Sequence, residues 1–337
     1  MRKALQLVCC LFGLVALGLY IYVVSVHRLR GLGDVRAVLN TIALPKTSPR
    51  CRRFNETHLR CLPNVMLIGQ SKCGTTSLVT YLKSLPDVHF VSRRVYKVDT
   101  NHSAVHRFDR NTFPFAWTAL DLADEWASSP LVPSENSVVI HDTPHYFYAP
   151  TVPFDVARFY PHAQEMQFIV MLREPVPRAW SSYWFKKSYM FSGSDQGSAA
   201  EFMDLARSEM QTRRKYESCM RQKRGYGRPS SGGLFESVLN CSTTGGTQHC
   251  TAAVQSRALL RAIKICFGAH LRSAQLGLRH LDKSIYIDQL LRWFSLFDPR
   301  RFHFLSLENF AQNPQKEFGS LLTFLHNSTA GINAQVA

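Results

Sequence analysis

Negative charge is what this chain has least of. Twenty-four Asp and Glu stand against forty Lys and Arg, a formal net charge of +16. A chain this basic favours an anionic partner, whether nucleic acid, acidic lipid or an acidic polysaccharide. Zinc-type cysteine spacing is missing too, since the nine cysteines fall in no zinc-ligand pattern. No internal repeat is present, which excludes a solenoid or a propeller. One glycine-rich loop is present, but without the lysine that a nucleotide triphosphatase needs. Such a loop reads G-x-x-x-x-G-K-[ST]. In "GQSKCGTT", Gly69 and Gly74 keep the spacing, Thr75 takes the lysine's place, and the lysine is Lys72. No Walker-B-like aspartate is expected to end the later apolar strands, where Arg173 and Ser306 stand. A kinase or ATPase is therefore disfavoured.

Long apolar runs are rare, with one exception. Residues 4–26 carry no formal charge and are long enough to cross a bilayer, which takes roughly 20 apolar residues. The run exceeds the ~7–15 residues of the apolar region in a cleaved signal peptide. An uncleaved membrane anchor is therefore expected, with residues 1–3 as a cytoplasmic tail. Four N-x-[ST] sequons follow it, at Asn55, Asn101, Asn240 and Asn327, and none precedes it. That asymmetry suits a glycosylated, lumenal body. Cys51, Cys61, Cys219, Cys241, Cys250 and Cys266 form an even set there, in a compartment where disulfides persist. Cys51–Cys61 and Cys241–Cys250 close the shortest candidate loops, and connectivity stays open. Cys73, inside the glycine loop, is expected to be a free thiol.

Residues 27–62 lack a sustained apolar period and read as a stem ahead of a domain at 63–337. Within that domain "VMLI" is a short continuous apolar run, as in a strand buried on both faces of a parallel sheet. After the glycine loop, Leu78, Tyr81, Leu82 and Leu85 recur at one helix face. Phe168 to Leu172 reads as a second buried strand, with a helix starting near Pro177. "RFHFLSLENF" opens a third strand–helix unit, and Ile287, Leu290, Leu291 and Phe294 mark an amphipathic helix before it. Strands alternating with helices predict an α/β fold with a central, mainly parallel sheet flanked by helices. Residues 188–251 are polar, basic and glycine-rich and read as a surface insertion. Its Arg213, Arg214 and Lys215 offer either an acidic-glycan contact or a solvated face. Trp180, Tyr183, Trp184, Phe185 and Trp293 are expected in the core.

A helix N-terminus offers unpaired N–H groups and the positive end of a dipole, so the loop–helix junction is an anion site. With the lysine moved into the loop, the pattern suggests a cation at the bridging oxygen of a smaller leaving group. "GQSKCGTTSL" resembles the 5′-phosphosulfate loop of sulfotransferases that use 3′-phosphoadenosine 5′-phosphosulfate (PAPS). "VMLREPVPRAWSSYW" resembles that family's 3′-phosphate motif, an arginine ending a strand and a serine eight residues later on a helix. "HDTPHYFYAP" (His141–Pro150) and Ser284–Phe310 are similar to further elements of Golgi carbohydrate sulfotransferases. The nearest are the heparan sulfate and N-acetylgalactosamine 4-sulfate 6-O classes.

This resemblance spans roughly Val65 to Leu325. It implies a P-loop-like sulfotransferase fold and a single-pass type II Golgi membrane protein with its catalytic domain in the lumen. It also implies PAPS as sulfuryl donor with no metal, and an acidic glycan acceptor such as chondroitin, dermatan or heparan sulfate, not nucleic acid. Lys72 would then balance charge on the bridging oxygen. Cys73, Gly74, Thr75, Thr76 and Ser77 would hold the 5′ end, and Arg173 with Ser181 the 3′-phosphate.

The general base departs from the family pattern. Many glycosaminoglycan sulfotransferases carry it as Glu in "KEPHFF", and the matching stretch here is "RRVYKV", with Arg94 at the glutamate position. An arginine stays protonated and cannot accept the acceptor's proton. Asp142 is one substitute, with Arg94 as its compensating cation. His141 and His145, beside the same expected strand end, are the others. The family's basic, glycine-containing loop that closes over the cofactor has no counterpart in "LHNSTAGINAQVA"; the basic 213–228 stretch is a substitute. Two functions follow: a PAPS-dependent enzyme, or a binder of nucleotide or sulfated glycan on the same scaffold with little turnover.

Overall fold

The computed structural model describes residues 44–91, 119–190, 197–223, 265–266 and 279–330. In chain order the elements are β1 (Cys51–Arg53), β2 (Leu59–Cys61), β3 (Val65–Gly69), α1 (Thr75–Lys83), β4 (Val88–Phe90), α2 (Ala119–Ser128), β5 (Leu131–Val132) and β6 (Val138–Asp142). There follow α3 (Val152–Phe159), β7 (Gln167–Leu172), α4 (Pro175–Met190), α5 (Ala199–Lys223), α6 (Tyr286–Phe294), β8 (Phe302–Ser306), α7 (Leu307–Gln312) and α8 (Pro314–Ala330).

The continuous apolar runs become the centre of a five-stranded sheet in the order β4-β6-β3-β7-β8. Every neighbouring pair in it is parallel. Strand alternation sends each run to two cores at once. Met66, Ile68, Phe168 and Val170 pack on one face with Trp293, Phe297 and Phe302. Val65, Leu67, Ile169 and Met171 pack on the other with Leu78, Leu82 and Leu321. Such double burial leaves no room for the alternating polar residues of a half-exposed strand. The α/β expectation is met.

Several local readings change. "VVIHD" is a full strand, β6, beside β3, so an aspartate does end one of the later strands. Its end at Asp142 is the strand end expected beside His141 and His145. Within the segment read as stem, β1 pairs antiparallel with β2 and β2 antiparallel with β5, so this segment joins the folded body. Arg60 donates to the carbonyls of Trp126, Ala127 and Ser129, where α2 ends without a basic residue in its last turn. A buried guanidinium there satisfies orphan carbonyls and opposes the negative end of the helix dipole.

The segment read as an insertion contains α5, a 25-residue helix. Glu209 accepts the backbone N–H groups of His280, Leu281 and Asp282. Arg213 pairs with Glu217, Asp282 and Asp288, so it is an internal anchor and not a free glycan contact. On α6 the buried residues are Gln289 and Trp293, while Ile287 is exposed; the helix is as expected but its inward face is rotated. Tyr81 and Trp184 are likewise exposed.

Disulfides join Cys51 to Cys61 and Cys219 to Cys266, and Cys73 is free. The first pins directly opposed residues of the β1–β2 hairpin; the second ties α5 to residue 266. Cys241 and Cys250 lie outside the described residues, as do Asn101, Asn240, Arg94 and the apolar run 4–26. Among the described residues no helix is long and apolar enough to cross a membrane. Asn55 sits exposed in the hairpin turn, and Asn327 falls within α8.

The hairpin disulfide closes a loop of 10 residues' separation, for which chain-entropy arguments give about 3 kcal/mol. Replacing both Cys51 and Cys61 by Ser is expected to lower unfolding stability by about that amount, read from denaturant titrations.

Candidate active site

From β3 the chain runs out to β4 at the sheet edge, returns to β6, then crosses β3 to reach β7 and β8. The connections leaving β3 and β7 therefore diverge, which opens a crevice beyond their carboxyl ends. Open parallel sheets bind ligands at such a switch point. The glycine loop leaves β3 and Arg173 follows β7, so both motifs meet there. The Gln70 amide donates to the Met171 carbonyl at 2.7 Å and stitches the loop to the end of β7.

The loop is shaped by close packing. Gly74 lies at φ 86°, and a Cβ there would sit 2.8 Å from Leu307 Cδ1; both facts demand glycine. A Cβ on Gly69 would meet Phe147 Cβ at 2.6 Å. Gly74 then caps α1 with no side-chain hydrogen bond, and the first turn of α1 holds no acid. Its leading N–H groups are thus left for an anion. Thr75 is buried while Thr76 and Ser77 are exposed beside it.

Three groups absent from the sequence reading hold this loop. Gln70 donates its side-chain amide to the Lys283 carbonyl (2.9 Å) and to Gln289 Oε1 (3.1 Å). Arg178, fully buried on α4, donates to the carbonyls of Ser71 and His280 and to Ser284 Oγ. Tyr286 donates its hydroxyl to the Arg173 carbonyl at 2.7 Å and lies 3.9 Å from Cys73 Sγ. No sequence period signals these contacts, which join positions more than 100 residues apart.

Lys72 takes φ 70°, uncommon for a residue with a Cβ. Its ammonium lies 4.0 Å from the centroid of the Phe185 ring. Partial burial, then the nearby Arg173 cation, holds this amine below the usual lysine range. Lys72 and Arg173 are thus close enough to feel each other. Deeper under the loop, burial followed by Arg178 and Lys186 brings the Lys283 amine down to about 7. Cations crowd this end of the sheet, which suits a multiply charged anion. Among the described residues, the side chains of Lys72, Arg173 and Ser181 make no hydrogen bond or ion pair, and all three are half-buried.

The remaining expected site residues divide. Cys73 is buried, its amide donates to the Gln70 carbonyl, and burial pushes its thiol up to about 11; it is an inert packing group. Asp142 ends β6 next to Leu67 of β3, at the same sheet end as the loop, and is 4% exposed. His141 points to the opposite face. Its ring nitrogens lie 3.1 Å from Glu125 Oε1 and 3.0 Å from Tyr146 Oη, inside a core with Tyr160. Both nitrogens are engaged, so His141 is a core residue and not a base at the loop. His145 is half-buried on the turn after β6. Among the described residues no His, Cys, Asp or Glu cluster has the makings of a metal site.

No family model matches the chain. It is 26% identical over 293 residues to membrane-associated sulfotransferase kil1 of Dictyostelium discoideum, covering 80% of this chain and 57% of that protein. It is 25% identical over 301 residues to human carbohydrate sulfotransferase 15, covering 80% of this chain and 44% of that one. A shorter match, 27% over 136 residues, is to human heparan sulfate glucosamine 3-O-sulfotransferase 3B1, covering 40% and 30%. The chain spans about half the length of the first two relatives. A solved sulfotransferase from Alicyclobacillus acidocaldarius aligns with 78% of this chain and 81% of its own at 18% identity and a TM-score of 0.42. The chain is thus similar, over most of its length, to carbohydrate sulfotransferases, the family that its loop and its Arg173–Ser181 motif resemble.

Proposed function

We propose that this protein is a PAPS-dependent sulfotransferase of the Golgi membrane, acting on a hydroxyl of an acidic glycan such as heparan, chondroitin or dermatan sulfate. The observation that carries the reading is the pairing of two cationic grips at one switch point. Lys72 with the α1 N-terminus lies at the end of β3, Arg173 with Ser181 beyond β7, and the side chains of all three are without hydrogen bonds among the described residues. An adenine nucleotide with separate 5′ and 3′ anionic ends meets both.

The residues divide the work by charge and geometry. PAPS supplies the sulfuryl group: its bond from sulfur to the bridging oxygen breaks as an acceptor oxygen bonds to sulfur, and the electron pair stays on the 5′-phosphate. Lys72 opposes the charge that grows on that oxygen, and the α1 amides with Thr75, Thr76 and Ser77 fix the phosphosulfate end. Arg173 presents a planar fork to the 3′-phosphate and Ser181 adds a hydroxyl. Asp142 accepts the proton of the acceptor hydroxyl, since His141 is engaged in the core. Preorganised positive charge of this kind is usually the largest catalytic contribution.

Arginine at the position where the family carries its glutamate base favours a second reading, a nucleotide or glycan binder with little turnover. Radiolabelled PAPS offered with heparan, chondroitin and dermatan acceptors, beside calorimetry with adenosine 3′,5′-bisphosphate, separates the two. Transfer supports the enzyme; tight bisphosphate binding without transfer supports the binder; binding of magnesium–ATP in place of the bisphosphate sinks both.

Three substitutions probe the roles. Lys72→Ala is expected to cut kcat by about 10²–10³-fold, as for loss of one transition-state donor. Arg173→Gln is expected to weaken bisphosphate binding by roughly tenfold or more, the scale of a charged hydrogen bond. Asp142→Asn is expected to lower kcat by about 10²-fold or more while bisphosphate affinity holds. Unchanged turnover in that variant would remove Asp142 as the base.

A further inference from the structure

Phe185 sits where a core residue was expected, yet it is 39% exposed. Its ring is turned to the Lys72 ammonium instead of to the interior. On α4, Arg178, Ser181 and Phe185 follow at i, i+3 and i+7, one stripe of the helix. Arg178 grips the loop carbonyl of Ser71 at 3.2 Å, Ser181 stands at the 3′ grip, and Phe185 meets the loop lysine. One face of α4 therefore addresses the glycine loop at its base and at its tip.

We propose that Phe185 is a positioning residue for Lys72, its ring holding the ammonium on the α4 side of the loop, at the place where the donor's bridging oxygen arrives. The left-handed backbone at Lys72 sets the direction in which the side chain leaves, and the ring fixes where it ends. Among the described residues the ammonium has no hydrogen bond or ion pair, so the ring is its sole directional contact. Its charged surroundings are one-sided. Arg173, beyond β7, acts on it as a like charge, and no carboxylate acts on it from β3, α1, α4 or β7. The first turns of α1 and α4 hold no acid. A ring face attracts a cation more weakly than a charged oxygen does. The contact thus keeps the lysine extended and charged without competing against a phosphosulfate.

The catalytic meaning of this contact rests on the sulfotransferase reading, but its electrostatic content does not. The negative face of the ring favours the ammonium over the neutral amine, so it raises the Lys72 midpoint against burial and Arg173. Removing the ring drops the midpoint further. In full-length Phe185→Leu, with neither donor nor acceptor present, the pH midpoint for Lys72 acetylation, read by mass spectrometry, is expected to fall by about half a unit. Phe185→Trp is expected to restore it, because indole is the strongest cation–π partner. Phe185→Met, a second ring-free variant, repeats the measurement should Leu disturb folding. In turnover assays the alkaline limb of kcat is expected to move with the labelling midpoint. An unchanged midpoint in the ring-free variants, or a fall that Trp leaves uncorrected, overturns the proposal. Failure of the wild type to transfer sulfuryl groups refutes the enzyme reading alone, because the labelling midpoints still decide the role of the ring.

Discussion

The parallel pairing of β3 with β7 is the constraint on which the glycine-loop end of this protein depends. It sets the loop after β3 beside the residues after β7, and the short hydrogen bond from Gln70 to Met171 fixes their spacing. The pairing is itself held by burial on both faces. Phe168 alone stacks within 5.1 Å of the ring centroids of Trp293, Phe297 and Phe302. Truncating a ring in such a setting costs about 3–5 kcal/mol, a large part of a domain's net stability. The chemistry at the rim is therefore paid for in the core below it.

The same end of the sheet collects cations that the fold does not neutralise. Arg178 is matched to carbonyls and a hydroxyl, not to a carboxylate. Lys283 and Lys72 both lie below the usual lysine range because burial and neighbouring cations act together. Elsewhere the acids are placed with care: Glu209 holds three amides ahead of α6, and Asp282 and Asp288 take Arg213. The low acid content of the chain is thus felt locally, as a cradle whose own charge favours an anionic guest.

What the sequence made legible follows from what periodicity encodes. β3 and β7 were plain because strands covered on both faces read as unbroken apolar runs, and β8 because it opens a strand–helix unit like theirs. β6 was harder, because His141 and Asp142 end it with polar groups that serve a buried network and the sheet rim. The polar α5 resembled a loop-rich insertion, since its anchors, Glu209 and Arg213, are charged. The motifs holding Lys72, Arg173 and Ser181 were visible because their spacing is local to one loop and one helix. Gln70, Arg178 and Tyr286 were not, because each acts on a partner far along the chain. Phe185 departs from expectation for a related reason: an aromatic among other aromatics on a helix looks internal until the neighbour that claims its face is known.

One of those distant contacts bears on how the chain matures. The side chain of Gln70 is held by the carbonyl of Lys283 and by Gln289, 213 and 219 residues further on. Contacts of such separation close late, because a long loop must first be brought together. During vectorial synthesis the first sheet strands can assemble while the glycine loop still lacks the partners that set its shape. The partners that shape this rim lie more than 200 residues beyond the loop, so a nascent chain carries the motif before it carries the cradle.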